Sequence, residues 1–513
     1  MQPTVSGRRR TDNVGVLRSA RRVRRPRSRS RETDSNVAYD GNESKRAFVL
    51  FFVFVAAIYC FSPVMTNGDS YSTFPTAVSI LHGHTLFLDN FGKVASLSGS
   101  YTVSRLDGHL ITYFPWASAL FAVPAVAVLD VANLVGGPSP ERVVASGSAL
   151  QSLVQMWTAA LVTAGACTAL ALLAFHRLKG PRRSRLRLSI AAGAVVAFGT
   201  TAWSVASRAL WQHGPGVLVL ALGLMQLSRI FAGRPTSQES GRRLHRAACG
   251  AGAAMAAAFA IRPTNAIALA IAFVGLIWCR RDLVAAFVAG VIAVLLPWAG
   301  INRAFYGQFL QPYFSAGRLG HGTQLAEALL ANMVSPARGL LIFSPIAIFG
   351  IVGFVISVRR REAGPLEIMC AAVVVLHLLA VSLFPQWWAG HTFGPRYMTE
   401  TIPFLFVLAL PFVKWCSDSV RLFQRRGIGW NSRIRRATVV GVGVAILWST
   451  MVHAQGGMLR ASRCWNSSPP ARANVDLQPS RVWDWSDPQF IAGLRAIVDN
   501  GPRSATSGNC QER

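Results

Sequence analysis

A single carboxylate stands at the end of the first long apolar run of this chain. The stretch FSPVMTNGDSYSTFPTAV, residues 61–78, places Asp69 between that run and a segment with several aromatic and hydroxyl side chains. A carboxylate acts as a general base when a hydroxyl group is held against it. Its alternative role is to cap a helix expected to begin near Tyr71. We take Asp69 as the candidate catalytic residue, because a base at a membrane surface can reach substrates from both water and lipid.

Basic and aromatic side chains recur in four later stretches that adjoin apolar runs. They are His213 in LWQHGPG, Arg262 in RPTN, Arg338 in SPARG, and His391, Arg396 and Tyr397 in FPQWWAGHTFGPRYMTE. Arginine guanidinium groups neutralise phosphates and can bind them through two parallel hydrogen bonds. Each residue also has a structural interpretation, since Arg at a helix end extends to the interface and interfacial Trp and Tyr form belts. Their convergence on one side predicts a substrate-binding site.

A base, several cations and an apolar groove between helices together suit one kind of reaction. The base would take a proton from an acceptor while the cations stabilise a leaving phosphate whose lipid tail lies in the groove. This combination points to sugar transfer from a polyprenyl-phosphate carrier. The sequence has no glycine-rich phosphate loop, so a nucleotide-sugar donor is not expected. No cofactor is expected either, and the spacing of His82 and His84 does not specify a metal site.

The composition requires that apolar helices position these groups. Of the 513 residues, 52% are apolar and 14% are charged, which excludes an ordinary soluble globular chain. Apolar runs recur that are long enough for helices to cross about 30 Å of hydrocarbon. The formal net charge of +30 comes largely from Arg-rich segments between these runs, as in the cytoplasmic loops of membrane proteins. We interpret the Arg-rich stretch 21–31 as a cytoplasmic tail near anionic lipid rather than a nucleic-acid-binding arm.

Five basic clusters determine the predicted topology. The positive-inside rule places all of them in the cytoplasm: 176–187, 233–246, 279–282, 359–362 and 421–436. This holds only if the apolar segment 113–135, which carries two prolines and Asp130, lies in the interface rather than crossing. The prediction is an all-α polytopic membrane protein with about 11 transmembrane helices. Its first outer loop, 67–150, contains interfacial helices.

The same reasoning divides the chain into three parts. Residues 1–46 form a basic, disordered cytoplasmic tail, residues 47–455 form the transmembrane domain, and residues 456–513 form a tail outside. The first apolar run lacks a cleavage site, so we expect it to remain as the first span. Cys464 and Cys510 are the cysteines of the outer tail, and an oxidising compartment would allow them to pair.

The order of these parts resembles the GT-C glycosyltransferases, in particular the protein O-mannosyltransferases and the lipid A aminoarabinose transferase. In that class an acid follows the first span on the outer side and interfacial helices precede the second span. Asp69 and residues 71–135 match these two features. A family of bacterial membrane proteins assigned to this class is similar over about residues 47–495, in the motifs GDSYSTFPTAVSILHGHTLFLD, LWQHGPG, SPARGLLIFSP, WWAGHTFGPRYM and VWDWSDPQF.

Two features depart from the better-known members of the class. Mannosyltransferases have an Asp-Glu pair, whereas Asp69 is followed by Ser70, and LWQHGPG with His213 stands where the aminoarabinose enzyme has a second loop acid. The resemblance implies a polyprenyl-phosphate-sugar-dependent glycosyltransferase of the cytoplasmic (inner) membrane, with Asp69 as base. Its partners would be the bilayer, the lipid-linked sugar and an acceptor that the sequence does not specify.

Two other classes of protein stay open at this point. A lipid-linked sugar flippase or secondary transporter is also polytopic, but it should show two repeated halves with polar residues at mid-membrane. A non-enzymatic envelope assembly protein would not need the combination of Asp69, Arg396 and His213. The depth of these side chains discriminates between the classes, because a cluster at one end of the helices favours the transferase.

Overall fold

The computed structural model describes residues 30–66, 68–92, 101–145, 149–232, 238–315, 317, 320, 324–426, 430–466 and 474–507. Contacts divide the chain into two units, Met1–Ala47 and Phe48–Arg513. Helix α1 spans Ser30–Phe61, so it begins inside the stretch that we predicted to be disordered. That part of the tail contains no proline that would end a helix.

Helices make up most of the second unit. The α-helices that follow α1 are α2 Thr73–Gly83, α3 Val123–Leu134, α4 Pro140–Ala145, α5 Ala149–Arg177, α6 Arg182–Gly199, α7 Thr201–Ser204, α8 His213–Phe231, α9 Gln238–Ile261, α10 Ala266–Cys279, α11 Val284–Tyr306, α12 Leu325–Val334, α13 Leu340–Phe343, α14 Ile348–Arg359, α15 Pro365–Ser382, α16 Ile402–Arg426, α17 Trp430–Met458, α18 Ala461–Cys464 and α19 Ala492–Ser507. The strands of the described residues are β1 Val103–Leu106 and β2 His109–Thr112. The sequence therefore folds as the helical chain that its composition predicts.

Long apolar helices confirm a multi-pass membrane protein. In the described part of the chain, eight helices are long and apolar enough to cross a membrane. The bent pair Arg182–Gly199 and Thr201–Arg208 makes a ninth when it is counted as one span. Two further predicted spans correspond to the shorter apolar helices Pro263–Cys279 and Pro345–Arg359. The count of eleven spans, like the orientation of the termini, stays a prediction.

The segment predicted not to cross is divided into two short helices. Trp116–Phe121 is a 3-10 helix, and α3 follows it with 12 residues. An α-helix of that length is about 18 Å long, which is too short for about 30 Å of hydrocarbon. Pro115 and Pro124 lie at the starts of these two helices, where a missing backbone N–H is tolerated. The prolines that suggested an interfacial segment thus separate two helices that are each too short to span.

The segment that we predicted to be the first outer loop also contains a β-hairpin that we did not predict. β1 and β2 are antiparallel, with Val103 opposite Thr112. Asp107 and Gly108 form the turn, with φ of 48° and 87°. Two-residue hairpin turns require this left-handed backbone, and Asp-Gly is a frequent sequence for them. The dipeptide was therefore a readable signal for a hairpin within a chain that otherwise reads as helical.

Glycines allow two long helices to approach closely. A Cβ atom at Gly252 of α9 would lie 2.0 Å from the carbonyl oxygen of Phe287 in α11. A Cβ atom at Gly290 of α11 would lie 2.0 Å from the carbonyl oxygen of Cys249. Membrane helices associate through such small residues, because lipid is as apolar as the helices and the hydrophobic effect gives no drive between them. This contact fixes α9, whose C-terminal end leads into Arg262.

The C-terminal tail packs onto a stretch that the sequence analysis selected, the WWAGHTFGPRYM motif. Trp387 and Trp388 share a buried apolar cluster with Trp465, Val475 and Val482. The motif VWDWSDPQF thus docks against the WWAGHTFGPRYM motif.

The bonding state of the cysteines bears on the disulfide predicted for the C-terminal tail. Cys464 is disulfide-bonded, and the other described cysteines are free. Cys510, its predicted partner, lies outside the described residues, so the pairing stays a prediction.

Candidate active site

Asp69 lies in a turn between α1 and α2, and its carboxylate has two donors. Arg396 Nη2 donates to Asp69 Oδ2 in an ion pair, and the Tyr101 hydroxyl donates to Oδ1 at 3.1 Å. The capping interpretation is wrong, because α2 begins at Thr73 with Ser72 at its N-cap. The carboxylate of Asp69 instead contacts side chains from distant parts of the sequence.

Charge and hydrogen bonding keep Asp69 ionised. Burial alone would raise its pKa, but the Arg396 guanidinium and the hydrogen bonds from Arg396 and Tyr101 lower the pKa below its usual value of 3.8. Burial and the neighbouring Asp69 charge raise the pKa of Tyr101 to about 12. At neutral pH the site therefore presents a carboxylate beside a protonated phenol and a guanidinium.

Arg396 links Asp69 to a buried histidine. Its guanidinium lies 4.1 Å from the centroid of the Trp211 ring, and its Nε donates to His213 Nε2 at 3.0 Å. Because His213 Nε2 accepts that bond, the proton of the neutral imidazole lies on Nδ1. His213 Nδ1 in turn donates to Glu400 Oε1 at 2.8 Å. A chain of hydrogen bonds thus runs from Asp69 through Arg396 and His213 to Glu400.

Arg262 and Glu400 form the buried end of this chain. Arg262 Nη1 lies 3.5 Å from Glu400 Oε1, and Arg262 Nε donates to the Thr264 hydroxyl at 3.0 Å. The guanidinium also lies 5.3 Å from the centroid of the Tyr397 ring. The side chains of Arg262 and Glu400 are 6% and 1% exposed. Among the described residues, Glu400 Oε2 has no hydrogen-bond partner. The neutral imidazole of His213 therefore lies between two ion pairs. One is Asp69 with Arg396, and the other is Glu400 with Arg262.

Helix ends bring these groups together. His213 is the first residue of α8, and Arg262 directly follows α9. Arg396 and Glu400 lie in the 3-10 helix Arg396–Thr401, which leads directly into α16. Because the ends of three helices meet, residues nearly 200 positions apart, such as His213 and Arg396, share one site.

A narrow polar cleft opens beside the hydrogen-bonded chain. Its polar lining consists of Asp69, Thr73, Thr76, Thr112, Ser118, Gln212, His213, Arg262 and Arg396. The space open to the centre of a water-sized sphere is about 10 Å³, roughly enough for one water molecule. Trp116 lines both this cleft and a neighbouring apolar cavity of about 530 Å³. Leu120, Phe121, Ile261 and Trp298 also line the apolar cavity. A polar site and an apolar cavity therefore share one wall.

Two predicted site residues lie in a different cluster. The buried Arg338 side chain donates to the carbonyl oxygens of Trp388 and Gly390, at 2.6 and 3.0 Å. His391 lies at the surface, where its Nε2 is 2.8 Å from the Asn474 amide oxygen. The geometry thus gives Arg338 a backbone-holding role and pairs His391 with the tail. Neither contact supports the substrate-binding roles that their sequence motifs suggested.

The cluster also includes residues outside the predicted set of catalytic and substrate-binding residues. Glu400 lies four residues after Arg396 in the same motif, so the sequence already places a carboxylate near the predicted cations. Tyr101 lies two residues before β1 of the hairpin, whose Asp-Gly turn could have located it. Arg463 follows α17 and donates to the Met65 carbonyl oxygen at 2.6 Å. Burial and the charge of Arg396 lower the pKa of Arg463 to about 10. No sequence signal marks Arg463, because only tertiary contacts bring it to the site.

The arrangement suits an anion and a nucleophile held side by side. Guanidinium groups and hydroxyls line the cleft and can donate to a phosphate. The Asp69 carboxylate can accept a proton at the same place. Within the described residues, no group of three or more His, Cys, Asp or Glu side chains is arranged to hold a metal ion.

Comparison with known proteins identifies the fold. No protein-family model and no curated protein matches the chain. It is similar to the solved archaeal oligosaccharyltransferase AglB from Archaeoglobus fulgidus, in complex with an inhibitory peptide and a dolichol-phosphate. The TM-score is 0.50 at 13% identity, over 88% of this chain and 61% of that one. It is also similar to ArnT from Cupriavidus metallidurans bound to undecaprenyl phosphate, with a TM-score of 0.43 at 16% identity over 80% and 71% of the two chains.

The likeness to AglB shows the fold. This chain is a polytopic helical bundle of the GT-C type, which confirms the predicted fold class. It spans 61% of the length of the archaeal chain.

Proposed function

We propose that this protein transfers a sugar from a polyprenyl-phosphate-linked donor to an acceptor on the outer face of the cytoplasmic membrane. The observation that carries the proposal is the ion pair of Asp69 and Arg396, which lies in a polar cleft that shares Trp116 with an apolar cavity. A base and a phosphate-binding cation are thus in contact next to a space for a lipid. AglB, which shares the fold, was solved with a dolichol-phosphate.

The reaction assigns a task to each of these groups. The acceptor nucleophile attacks the anomeric carbon of the donor sugar and gives its proton to the Asp69 carboxylate. The bond between the anomeric carbon and the phosphate oxygen breaks, and polyprenyl phosphate leaves with the bonding electron pair. The guanidinium groups of Arg396 and Arg262 stabilise the charge that develops on that phosphate.

Substrate binding would change the partners of Arg396. In this structure its Nη2 donates to Asp69, which lowers the basicity of the carboxylate. A donor phosphate competes with the carboxylate for the same guanidinium, since both are anions that accept its N–H groups. When Arg396 turns to the phosphate, Asp69 loses its main neutralising partner and becomes a better base. The base is thereby activated only when the donor is present.

The apolar cavity gives the donor a place for its tail. Apart from His84 and Thr85, its walls are apolar side chains. Trp116 and Ala117 belong to the same 3-10 helix that borders the polar cleft. Isoprenoid units buried there would bind through apolar contact at about 25 cal/mol per Å² removed from water. The head group would then lie beside Trp116, at the cleft that contains Arg396.

The position of the charged cluster favours a transferase over a flippase. A flippase needs a polar path through the middle of the bundle. Here the acids and bases of the cluster lie at the ends of α8, α9 and α16. That location suits chemistry at a membrane surface.

The decisive experiment uses lipids from a strain that lacks the gene. A transferase deletion should accumulate the lipid-linked donor, and that lipid extract provides the substrate. Purified protein in detergent is mixed with the extract and with envelope material from the same strain. The expected result is release of free polyprenyl phosphate, measured by mass spectrometry. Accumulated donor that the purified protein leaves intact would instead indicate a flippase, because a flippase breaks no bond.

A further inference from the structure

The loop that leads into Arg396 has a backbone conformation that needs outside support. In this loop, residues 388–394, Ala389, Gly390 and Gly394 have φ of 63°, 63° and 68°. The left-handed region is unfavourable for alanine, and such residues persist where surrounding structure holds them. A Cβ atom at Gly394 would lie 2.6 Å from the Phe343 ring. The 388–394 loop is therefore strained at one end and closely packed at the other.

Arg338 holds the first half of the loop. Its Nε donates to the Trp388 carbonyl oxygen at 2.6 Å, and its Nη2 donates to the Gly390 carbonyl oxygen at 3.0 Å. Its remaining donors reach Ala337 O, Gln489 Oε1 and Asn466 Oδ1, at 2.8, 2.7 and 2.8 Å. All five N–H groups of the guanidinium are thus satisfied by uncharged oxygens. The side chain is 1% exposed, so these bonds form away from water.

Gln489 and Asn466 hold the second half. Gln489 Nε2 and Asn466 Nδ2 both donate to the Thr392 carbonyl oxygen, at 2.8 and 2.9 Å. Gln489 Oε1 accepts from the Gly394 amide at 3.1 Å as well as from Arg338. Gln489 has no exposed surface. It belongs to the QF of VWDWSDPQF in the C-terminal tail, so the tail contributes an amide on which the loop and Arg338 converge.

We infer that Gln489, together with Arg338 and Asn466, is a positioning residue that sets the place of the Arg396 guanidinium at the active site. The three side chains are called the clamp below. The inference rests on the proposed function for its consequence, anion binding, while the positioning itself is a statement about the structure. It also gives the tail a task at the site that its docking contacts alone do not imply.

The clamp reaches Arg396 through two residues of backbone. The Arg396 amide donates to the Gly394 carbonyl oxygen at 2.9 Å, so the held end of the loop is bonded directly to the arginine. The side chain of Arg396 then has to satisfy Asp69 and His213 at once. Small displacements matter for such a group, since misplacement of about 1 Å can reduce catalysis by roughly 100-fold. A loop that is free to relax would therefore weaken the site without any change in the groups that contact substrate.

The competing explanation is that Gln489 only attaches the tail. On that explanation, its removal would release residues 474–507 as a whole, and the loop would follow the tail. The two explanations differ in where protection from hydrogen exchange is lost. Positioning predicts a loss confined to the loop and the first turn after it, while the apolar cluster around Trp465 keeps the tail in place.

The test compares hydrogen–deuterium exchange of the full chain in detergent for three variants. Gln489→Met keeps the length of the side chain and removes all of its hydrogen bonds. Gln489→Glu loses the bond that Nε2 donates to Thr392, whose carbonyl oxygen keeps its bond from Asn466. It keeps the acceptor for Arg338 and Gly394 and strengthens the bond from Arg338 with a charge. Gln478→Met makes the same change at an exposed glutamine of the same tail. Gln489→Asn, which withdraws the amide by one methylene, replaces Gln489→Met if the latter does not fold, with the same expectation.

We expect exchange in the peptide covering 388–398 to become about tenfold faster in Gln489→Met. It should stay within about threefold of wild type in Gln489→Glu, and Gln478→Met should match wild type. Binding of undecaprenyl phosphate, used as the anionic lipid probe, should weaken about tenfold or more in Gln489→Met and recover in Gln489→Glu.

Three results would overturn the inference. They are an unchanged 388–398 peptide in Gln489→Met, faster exchange spread equally over the tail, and a faster loop with unaltered probe binding. If wild-type protein does not bind the probe, the proposed function fails, and the exchange pattern still decides whether the clamp positions the loop.

Discussion

Replacing Asp69 with asparagine separates the carboxylate's chemistry from its structural contacts. Asn has nearly the same size, and its Oδ1 can still accept the Tyr101 hydroxyl that now lies 3.1 Å away. It has no charge for Arg396 and cannot accept the acceptor's proton at neutral pH. Loss of a general base reduces the rate by roughly 10²- to 10⁴-fold. We therefore expect Asp69→Asn to lower sugar transfer per folded molecule by that range.

The same substitution has a smaller, calculable effect on stability. The side chains of Asp69 and Arg396 are 19% and 14% exposed, so the pair is mostly removed from water. Without the carboxylate, Arg396 keeps the bond to His213 and the contact with Trp211. Leaving one partner of such a bond unsatisfied costs roughly 1–3 kcal/mol of the free energy of unfolding. This is too little to abolish folding of a chain of this size.

The pH dependence of that stability effect has a definite sign. The pKa of Asp69 is lowered in the folded protein from its usual value of 3.8. A lowered carboxyl pKa stabilises the folded state above the unfolded pKa, and the stabilisation disappears as the pH falls through the folded pKa. The difference in melting temperature between wild type and Asp69→Asn should therefore be constant from pH 7 to about pH 5. It should shrink below about pH 4.

The assay measures release of polyprenyl phosphate by purified protein from the donor lipid of the deletion strain. Folded protein is quantified by size-exclusion chromatography and thermal unfolding. Asp89→Asn is the matched control, because Asp89 is an acid of the same segment, residues 67–150, and pairs with His109 at 2.7 Å. The control should retain near wild-type transfer. Normal folding of Asp69→Asn with a transfer rate within a few-fold of wild type would refute the assignment of Asp69 as the base.

Other substitutions test the rest of the site. Glu400→Gln leaves Arg262 buried without its carboxylate. It should lower the free energy of unfolding, measured in detergent, by roughly 3–5 kcal/mol. A loss below about 1 kcal/mol would contradict a buried pairing of Arg262 with Glu400. The hydrogen bonds that His82 donates to the carboxylates of Asp130 and Glu141 raise its pKa above 6.5. The stabilisation by His82 is therefore full below pH 6.5 and lost at higher pH. His82→Gln should lower the melting temperature at pH 6, where the lost free energy of unfolding is about 1 kcal/mol or less. Near pH 9 the same substitution should lower the melting temperature much less. An equal change in melting temperature at both pH values would contradict a role for protonated His82 in stability. Gly456→Ala brings a methyl group 2.3 Å from the Phe393 ring and should lower the free energy of unfolding by about 1–3 kcal/mol. The control, Gly443→Ala in the same helix, meets nothing within 4 Å and should be neutral or stabilising. Similar melting temperatures for the two variants would contradict the close packing at Gly456.

The fold was predictable where one physical constraint dominates. The length of an apolar run identifies a membrane helix, because the thickness of the hydrocarbon allows little variation in the length of a span. The segment 113–135 was predicted not to cross, and its prolines do separate helices too short to span. The hairpin at Asp107 and Gly108 was not predicted, because the segments that flank it have the apolar pattern of helices. The break after Gly199 was missed because it depends on how α6 and α7 pack.

The site was predictable to the extent that its residues adjoin apolar runs. Asp69, His213, Arg262 and Arg396 were selected for that reason, and the structure brings their side chains into one cluster. The same criterion also selected Arg338, whose guanidinium instead holds backbone carbonyls. Proximity to a membrane edge cannot distinguish an arginine that faces a cleft from one that faces a loop. That distinction depends on tertiary contacts between segments far apart in sequence.

Stability alone does not explain a charged cluster of this kind. Buried ion pairs contribute little net free energy, because removing two charges from water offsets most of their attraction, and apolar residues of similar volume often serve as well. Glu400 even leaves one carboxylate oxygen without a hydrogen bond among the described residues, which is a further energetic cost. A site that is unfavourable by itself is consistent with one that is completed by a ligand. A phosphate would take N–H groups of Arg396 now used by Asp69, and a substrate hydroxyl could donate to the carboxylate that is released. On the function proposed above, the cluster is half of a complex whose other half is the lipid-linked donor.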